Sequence, residues 1–127
     1  MRKTIKIIGL ITLVFISFAT GVFVAAVLHL GSPIVTVKLH NVSGKEIVSL
    51  RLVHEHGLVE VANLATGATR TVRFYAPGES SYKITTVFSD SRSLEGGAGY
   101  VEAGSSITET IAAGEIKTEY NRLHYSP

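Results

Sequence analysis

Apolar and polar side chains alternate along the segment Ile34–Asn41, which has the sequence IVTVKLHN. Successive side chains of a β-strand point to opposite faces of the sheet, so Val35, Val37 and Leu39 are expected to share one buried face. The polar side chains would then meet solvent on the other face, which is typical of an antiparallel sheet. The pattern therefore predicts a β-strand with one side in a hydrophobic core.

Further short segments with the same alternation follow this strand towards the end of the chain. Glycines separate them at intervals near ten residues or a small multiple of ten: Gly44, Gly57, Gly67, Gly78, Gly104 and Gly114. In the segment after the first glycine, Val48, Leu50 and Leu52 are expected to share a buried face. No stretch after residue 33 has a helical period. About seven to nine short strands separated by turns indicate a sandwich or barrel.

We therefore predict an all-β fold for residues 34–127, namely a small antiparallel β-sandwich preceded by one N-terminal transmembrane helix. Two packed sheets are expected because each strand has one apolar face. The domain has immunoglobulin-like size, but the chain lacks the cysteines and the tryptophan of an immunoglobulin core. The likeness therefore concerns size alone, and the strand order is left open.

An uncharged apolar run from Ile7 to Leu28 precedes this domain. As a helix it would be about 33 Å long, enough to cross a hydrocarbon core of about 30 Å. Arg2, Lys3 and Lys6 flank only its first end, which the positive-inside rule keeps in the cytoplasm. We predict a cytoplasmic flank over 1–6, a transmembrane helix or signal anchor over 7–30, a linker over 31–33 and a periplasmic or extracellular domain over 34–127.

A cleaved signal peptide is the alternative interpretation of the apolar run. Its central part, Ile5–Ile16, would be of ordinary length for a signal sequence, and small residues suited to cleavage follow at 17–19 and 24–26. Cleavage after Ala19 would leave an apolar stub on the mature chain, which favours an uncleaved anchor in the inner (plasma) membrane. Both interpretations place the β domain outside the cytoplasm.

Small residues recur at every fourth position of the predicted helix, at Ser17, Gly21 and Ala25. This spacing lets two helix backbones approach closely in a bilayer, so the three residues are candidates for self-association or for packing on another membrane helix. Chance is the alternative explanation, because small residues are common in such helices. The linker after the helix reaches only about 10 Å at about 3.3 Å per residue. This short reach favours a partner protein in, or on, the same membrane or in the periplasm beside it.

Composition excludes several classes of function. The chain has no cysteine, which rules out disulfides, zinc–thiolate sites, a thiol nucleophile and lipoprotein processing. Its net charge is +2, but three of the twelve basic residues lie before the apolar run, and the β domain is close to neutral. No basic stripe is available to neutralise phosphates, so a nucleic-acid partner is not expected.

His54 and His56 are the best candidate metal ligands, because residues i and i+2 of a strand point the same way. A third ligand is needed. If the turn at Ser43 and Gly44 is a hairpin, His40 pairs with Ile47 and lies about 23 Å from His54. Glu60 is nearer, but it is expected to pair close to Val53 and to face the other way. The alternative is a histidine at a strand end and a second one in the following turn.

Two serines after Gly78 superficially resemble a nucleophile turn. The segment is Gly78-Glu79-Ser80-Ser81, which lacks the second glycine of G-x-S-x-G and precedes a predicted strand instead of a helix. A hydrolase would also need a histidine within hydrogen-bonding reach of a serine. We therefore predict no catalytic residues and no enzymatic activity.

The glycine-rich segment Gly96-Gly97-Ala98-Gly99 precedes Tyr100. A phosphate-binding loop would continue with lysine and serine or threonine into a helix, whereas Tyr100 begins another predicted strand. Glycines let a backbone approach a partner closely, so Gly96, Gly97, Gly99 and Tyr100 form a candidate interaction loop. The sequence thus favours a non-enzymatic, membrane-anchored binding or scaffolding module without a cofactor. A metal-binding domain centred on His54 and His56 is the alternative.

Overall fold

The computed structural model describes residues 2–27 and 33–121, which fall into two compact units on either side of the boundary between Gly31 and Ser32. The first unit is a single helix, α1 (Arg2–Val27). Its part Lys6–Ala26 is long and apolar enough to cross a membrane, a criterion that signal sequences also meet. The predicted helix end at 28–30 and the linker residues Gly31 and Ser32 lie outside the described residues.

Two threonine side chains in the apolar part of α1 bond within the helix. The hydroxyl of Thr12 donates to the Ile8 carbonyl at 2.9 Å, and that of Thr20 donates to the Ile16 carbonyl at 2.8 Å. These bonds leave the helix surface almost wholly apolar, which is what a lipid environment requires.

The second unit is built from eight strands, and no helix occurs within 33–121. The strands are β1 (Ile34–Asn41), β2 (Ile47–His54), β3 (Gly57–Leu64), β4 (Thr69–Tyr75), β5 (Tyr82–Phe88), β6 (Ser93–Gly96), β7 (Ser106–Ile111) and β8 (Ile116–Tyr120). The prediction of a mostly β unit after one apolar helix is therefore confirmed.

The strands form two four-stranded sheets, with orders β4-β1-β7-β8 and β3-β2-β5-β6. Neighbouring strands are antiparallel except for β1 and β7, which run parallel. β1 and β2 lie in different sheets, so the expected hairpin at Ser43 and Gly44 is wrong. The chain crosses between the sheets at this turn.

Asn41 explains the crossing. Its side chain is fully buried, and its Nδ2 donates to the carbonyls of Lys45 at 2.8 Å and Leu64 at 2.9 Å. Its Oδ1 accepts bonds from the backbone N–H and the hydroxyl of Ser43. One amide thus ties the turn to the end of β3 in the other sheet, where a hairpin would have paired β1 with β2.

One cluster of buried apolar side chains from both sheets forms the core. Val35, Val37 and Leu39 are fully buried, as the alternation predicts. The phase predicted for β2 is wrong at its start, because Val48 is 39 % exposed and Ile47 is fully buried in its place. A β-bulge between Ile47 and Ser49 in the pairing with β5 shifts the side chains by one position.

The end of this unit at which the chain enters is called the Pro33 end. Tyr75 of β4 pairs with Ile34 there, and the Ala76 N–H donates to the Pro33 carbonyl at 2.7 Å. In the other sheet, Tyr82 at the start of β5 pairs with His54 at the end of β2. Three connections lie at this end: the turn after His54, the loop from Ala76 to Ser81, and the segment from Gly97 to Ser105, here called the 97–105 loop.

Candidate binding surface at the Pro33 end

The 97–105 loop is fastened to its neighbours by backbone hydrogen bonds. Ser80 and Val101 exchange two such bonds, at 2.9 and 2.8 Å, and the Tyr82 N–H donates to the Ala98 carbonyl at 3.0 Å. Ala98 and Val101 are themselves buried in the core. Only part of the loop is therefore free to meet a partner.

Two of the glycines in the predicted interaction loop serve close packing. A Cβ on Gly96 would lie 2.7 Å from the Cβ of Ile116, and one on Gly97 would lie 2.4 Å from the Tyr82 carbonyl oxygen. Gly97 also has a φ of +123°, which favours glycine. Nothing lies within 4 Å of the corresponding position on Gly99. Of the predicted interaction loop, Gly99 and Tyr100 are thus exposed, whereas Gly96 and Gly97 pack closely against the sheets.

Tyr100 and Tyr120 are brought together at this end, although they are far apart in the sequence. They are 47 % and 52 % exposed, and the Tyr120 hydroxyl donates to the Tyr100 carbonyl at 2.8 Å. The Tyr100 hydroxyl donates to the Glu102 carboxylate, and Glu79 lies 3.4 Å away. The bond to Glu102 raises the pKa of Tyr100 to about 12. The rings of Tyr100 and Tyr120 are therefore half-exposed and held in position by hydrogen bonds.

Two open cavities flank this part of the surface. The first, of about 480 Å³, is lined by Tyr100, Val101, Glu102, Ser105, Ser106, Tyr120 and Asn121. The second is a shallow groove of about 750 Å³, lined by residues 53–55, 79–83, 98 and 99. Both fall in the size range of ligand pockets, but their openness suits a protein surface better than an enclosed small molecule.

The two candidate metal ligands are neighbours, but no third ligand joins them within the described residues. His54 ends β2, stacks on the Phe74 ring at 4.4 Å between centroids, and accepts the His56 N–H at Nδ1 at 3.3 Å. Burial, followed by the charge of His56, lowers the pKa of His54. His56 lies in the turn, as the alternative interpretation has it. Within the described residues, no three histidine, cysteine or acidic side chains are grouped to hold a metal ion.

Glu60 pairs within two positions of Val53 and on the face away from His54, as expected, whereas the pairing expected for His40 is wrong. Glu60 opposes Arg51, with which it forms an ion pair at 3.3 Å, and Val53 opposes Leu58. His40 lies in the other sheet, where it pairs with Thr69.

Ser80 and Ser81 line the same groove as His54, yet their hydrogen bonds are structural. The Ser80 hydroxyl donates to the Ser81 carbonyl at 3.4 Å, and the Ser80 backbone pairs with Val101. No serine–histidine hydrogen bond occurs in the described part of the chain. The two serines therefore belong to a turn and are not arranged as a nucleophile with its base.

A buried carboxyl group beneath the loop escaped the sequence analysis. Glu109 on β7 is fully buried, and its Oε1 accepts the Tyr82 hydroxyl at 2.5 Å. Its Oε2 accepts the Thr118 hydroxyl at 2.9 Å. Burial raises the pKa of Glu109, against the opposing effect of these two bonds, and burial together with Glu109 raises that of Tyr82. The available signal was an acidic residue between Ile107 and Ile111 on an apolar face.

No protein-family model and no curated protein matches this chain. A solved structure, described as the NMR structure of the protein from Eubacterium rectale, is similar in fold with a TM-score of 0.53. It is 12 % identical and the match covers 76 % of this chain and 97 % of that one. At this identity the likeness shows the fold alone. The chain is a mostly β protein with one N-terminal apolar helix.

Proposed function

We propose that the chain is a single-pass membrane protein whose β-sandwich domain acts outside the cytoplasm as a non-enzymatic binding or scaffolding module. The apolar helix, in which the Thr12 and Thr20 hydroxyls bond internally, supports residence in the bilayer. The basic residues before it support a cytoplasmic N-terminus. The module would work at the outer face of the inner membrane through protein–protein contacts.

The observation that carries the binding proposal is the pair of half-exposed rings, Tyr100 and Tyr120, beside a cavity at the Pro33 end. Tyrosine is enriched in protein interfaces because it offers a large apolar area and a polar tip at low entropic cost. These rings are held by hydrogen bonds from their own chain, so little further ordering is needed on binding.

The partner that fits this surface is a protein with basic groups near an apolar anchor. Glu79 and Glu102 lie beside Tyr100, and neither forms an ion pair within the described residues. A lysine or arginine of the partner would complement them and fix its orientation. The short predicted linker favours a partner in the same membrane, including a second copy that packs through Ser17, Gly21 and Ala25.

Site-specific photocrosslinking in bacterial membranes tests the proposal. A crosslinking residue is placed at Tyr100 of the full-length chain and, as a matched control, at Val42. The two positions are 47 % and 46 % exposed, and Val42 lies at the opposite end of the unit. We expect a discrete adduct from position 100 that is missing from position 42. Equal labelling at both positions, or recovery of a lone monomer in several mild detergents, would contradict the proposal.

A further inference from the structure

Glu109 connects the interior of the second unit to the 97–105 loop through one hydroxyl group. Thr118 Oγ1 lies 2.9 Å from Glu109 Oε2 and 3.4 Å from the Gly97 carbonyl oxygen. A threonine hydroxyl has a single proton, so it can donate to only one of these two oxygens at a time. The protonation state of Glu109 determines whether the Thr118 hydroxyl donates to Glu109 or to the Gly97 carbonyl.

Two arrangements are possible. When Glu109 is ionised, both of its oxygens are acceptors, and Thr118 must donate to the carboxylate. When Glu109 is protonated at Oε2, it donates to Thr118, and the Thr118 hydroxyl is then free to donate to Gly97. Tyr82 donates to Oε1 in both arrangements. Only the protonated arrangement completes a chain of bonds from Tyr82 through Glu109 and Thr118 to the loop.

The surroundings of Glu109 favour the protonated form. Glu109 pairs with the apolar Leu39 on β1 and with the uncharged Thr118 on β8. It also accepts a hydrogen bond from the neutral Tyr82 on β5. No cation forms an ion pair with Glu109 in the described ranges. A buried carboxylate without a counter-charge is costly, so burial raises the pKa of this group above its ordinary value of 4.5.

We propose that Glu109 is a proton-operated latch that fastens the 97–105 loop when protonated and loosens it when ionised. Loosening would act where the loop rests on the sheets, at Gly97 and Ala98, and would change the position of Tyr100 and its cavity. The latch itself is independent of the proposed binding function. Its use, as pH control over partner binding, rests on that function.

Nuclear magnetic resonance of the full-length chain in detergent micelles tests the latch. The ¹³C carboxyl shift of Glu109 reports its titration, and hydrogen-exchange protection factors report opening of the loop with the intrinsic pH dependence removed. We expect Glu109 to titrate above 4.5. Protection in the 97–105 loop and β8 should fall as the pH rises through that titration, by up to about tenfold for each unit by which the pKa is raised.

Four variants separate the latch from other causes. Glu109→Gln should abolish the pH dependence of protection in the 97–105 loop, whereas the exposed control Glu119→Gln should keep it. Thr118→Val removes the hydroxyl between Glu109 and Gly97 and should therefore uncouple the loop from Glu109, whereas Thr118→Ser should keep the coupling. His54 pairs with Tyr82, and Glu79 and Glu102 lie at Tyr100 of the loop. These three groups stay in all four variants, so a pH dependence that survives Glu109→Gln would arise from a group other than Glu109 and overturn the latch.

The wild-type titration keeps the test decisive if a variant fails to fold. A Glu109 carboxyl that titrates in the ordinary range, or loop protection that stays constant across its titration, would overturn the proposal. Failure of the binding proposal has a different signature, since the crosslink at position 100 would be missing while both NMR signals followed the pH as expected.

Discussion

Replacing Gly97 by alanine should destabilise the second unit strongly, whereas the same change at Gly99 should not. The new Cβ at position 97 would lie 2.4 Å from the Tyr82 carbonyl oxygen and 2.9 Å from the Lys83 Cα, both of them backbone atoms of β5. The backbone at position 97 also has a φ of +123°, which a side chain rarely tolerates. Strain of this kind costs about 1–3 kcal/mol, and forced displacement of packed neighbours costs about 1–3 kcal/mol more. We expect a loss of about 2–6 kcal/mol in the free energy of unfolding.

Gly99→Ala is the matched control, two residues away in the same segment. Its Cβ would meet nothing within 4 Å, and Gly99 is not among the residues with positive φ. The unfolding free energy should therefore change by no more than about 0.5 kcal/mol, or rise slightly because alanine restricts the unfolded chain.

Urea unfolding of the full-length chain in micelles, followed by circular dichroism and tyrosine fluorescence, measures both variants. A loss of 1 kcal/mol corresponds to about 4–8 °C in Tm for a domain of this size. A freely flexible glycine loop would tolerate both substitutions equally. Equal stability of Gly97→Ala and Gly99→Ala would therefore refute the close packing of the loop on β5.

Further predictions concern polar groups of the second unit. Asn41→Ala should cost about 2–4 kcal/mol in urea unfolding because it removes the amide that satisfies the Leu64 and Lys45 carbonyls; a loss below about 0.5 kcal/mol would contradict that role. Because burial raises the pKa of Glu109 in the folded state, its contribution to the free energy of unfolding should be complete below the ordinary value of 4.5 and should be lost as the pH rises through the folded pKa. Glu109→Gln should therefore flatten the dependence of Tm on pH. The hydrogen bond from Arg92 lowers the pKa of Asp90 to about 2, so an NMR titration should place Asp90 there and Arg92→Gln should move it upward; an unchanged midpoint would contradict the assignment.

Local alternation predicts the strands of this chain because it depends only on which face of a strand is buried. The buried positions of β1 follow directly from Val35, Val37 and Leu39, and the eight strands within residues 33–121 agree with the predicted seven to nine. Strand partners depend on contacts between distant residues. Ser43 and Gly44 are equally suited to a hairpin and to a crossing between sheets, and the buried amide of Asn41 decides between them.

The same distinction applies to the candidate site. The segment from Gly96 to Tyr100 was recognised from its glycines, but their separate roles depend on what lies opposite each of them in space. The contact of Tyr120 with Tyr100 joins residues twenty positions apart, and no local pattern reports it. Glu109 had a visible signal, since it occupies a position on β7 that alternation assigns to the core. The β2 phase failed because a bulge adds one residue that a strict period of two does not contain.

Because the chain has no cysteine, single introduced cysteines can report directly whether the second unit lies outside the cytoplasm. Single cysteines at Glu115, which is exposed in the second unit, and at Thr4, which precedes the apolar run, are labelled in intact bacterial cells with a membrane-impermeant maleimide. We expect Glu115→Cys to react in intact cells and Thr4→Cys to react only after the membrane is opened. Labelling of Thr4→Cys in intact cells together with protection of Glu115→Cys would contradict this location.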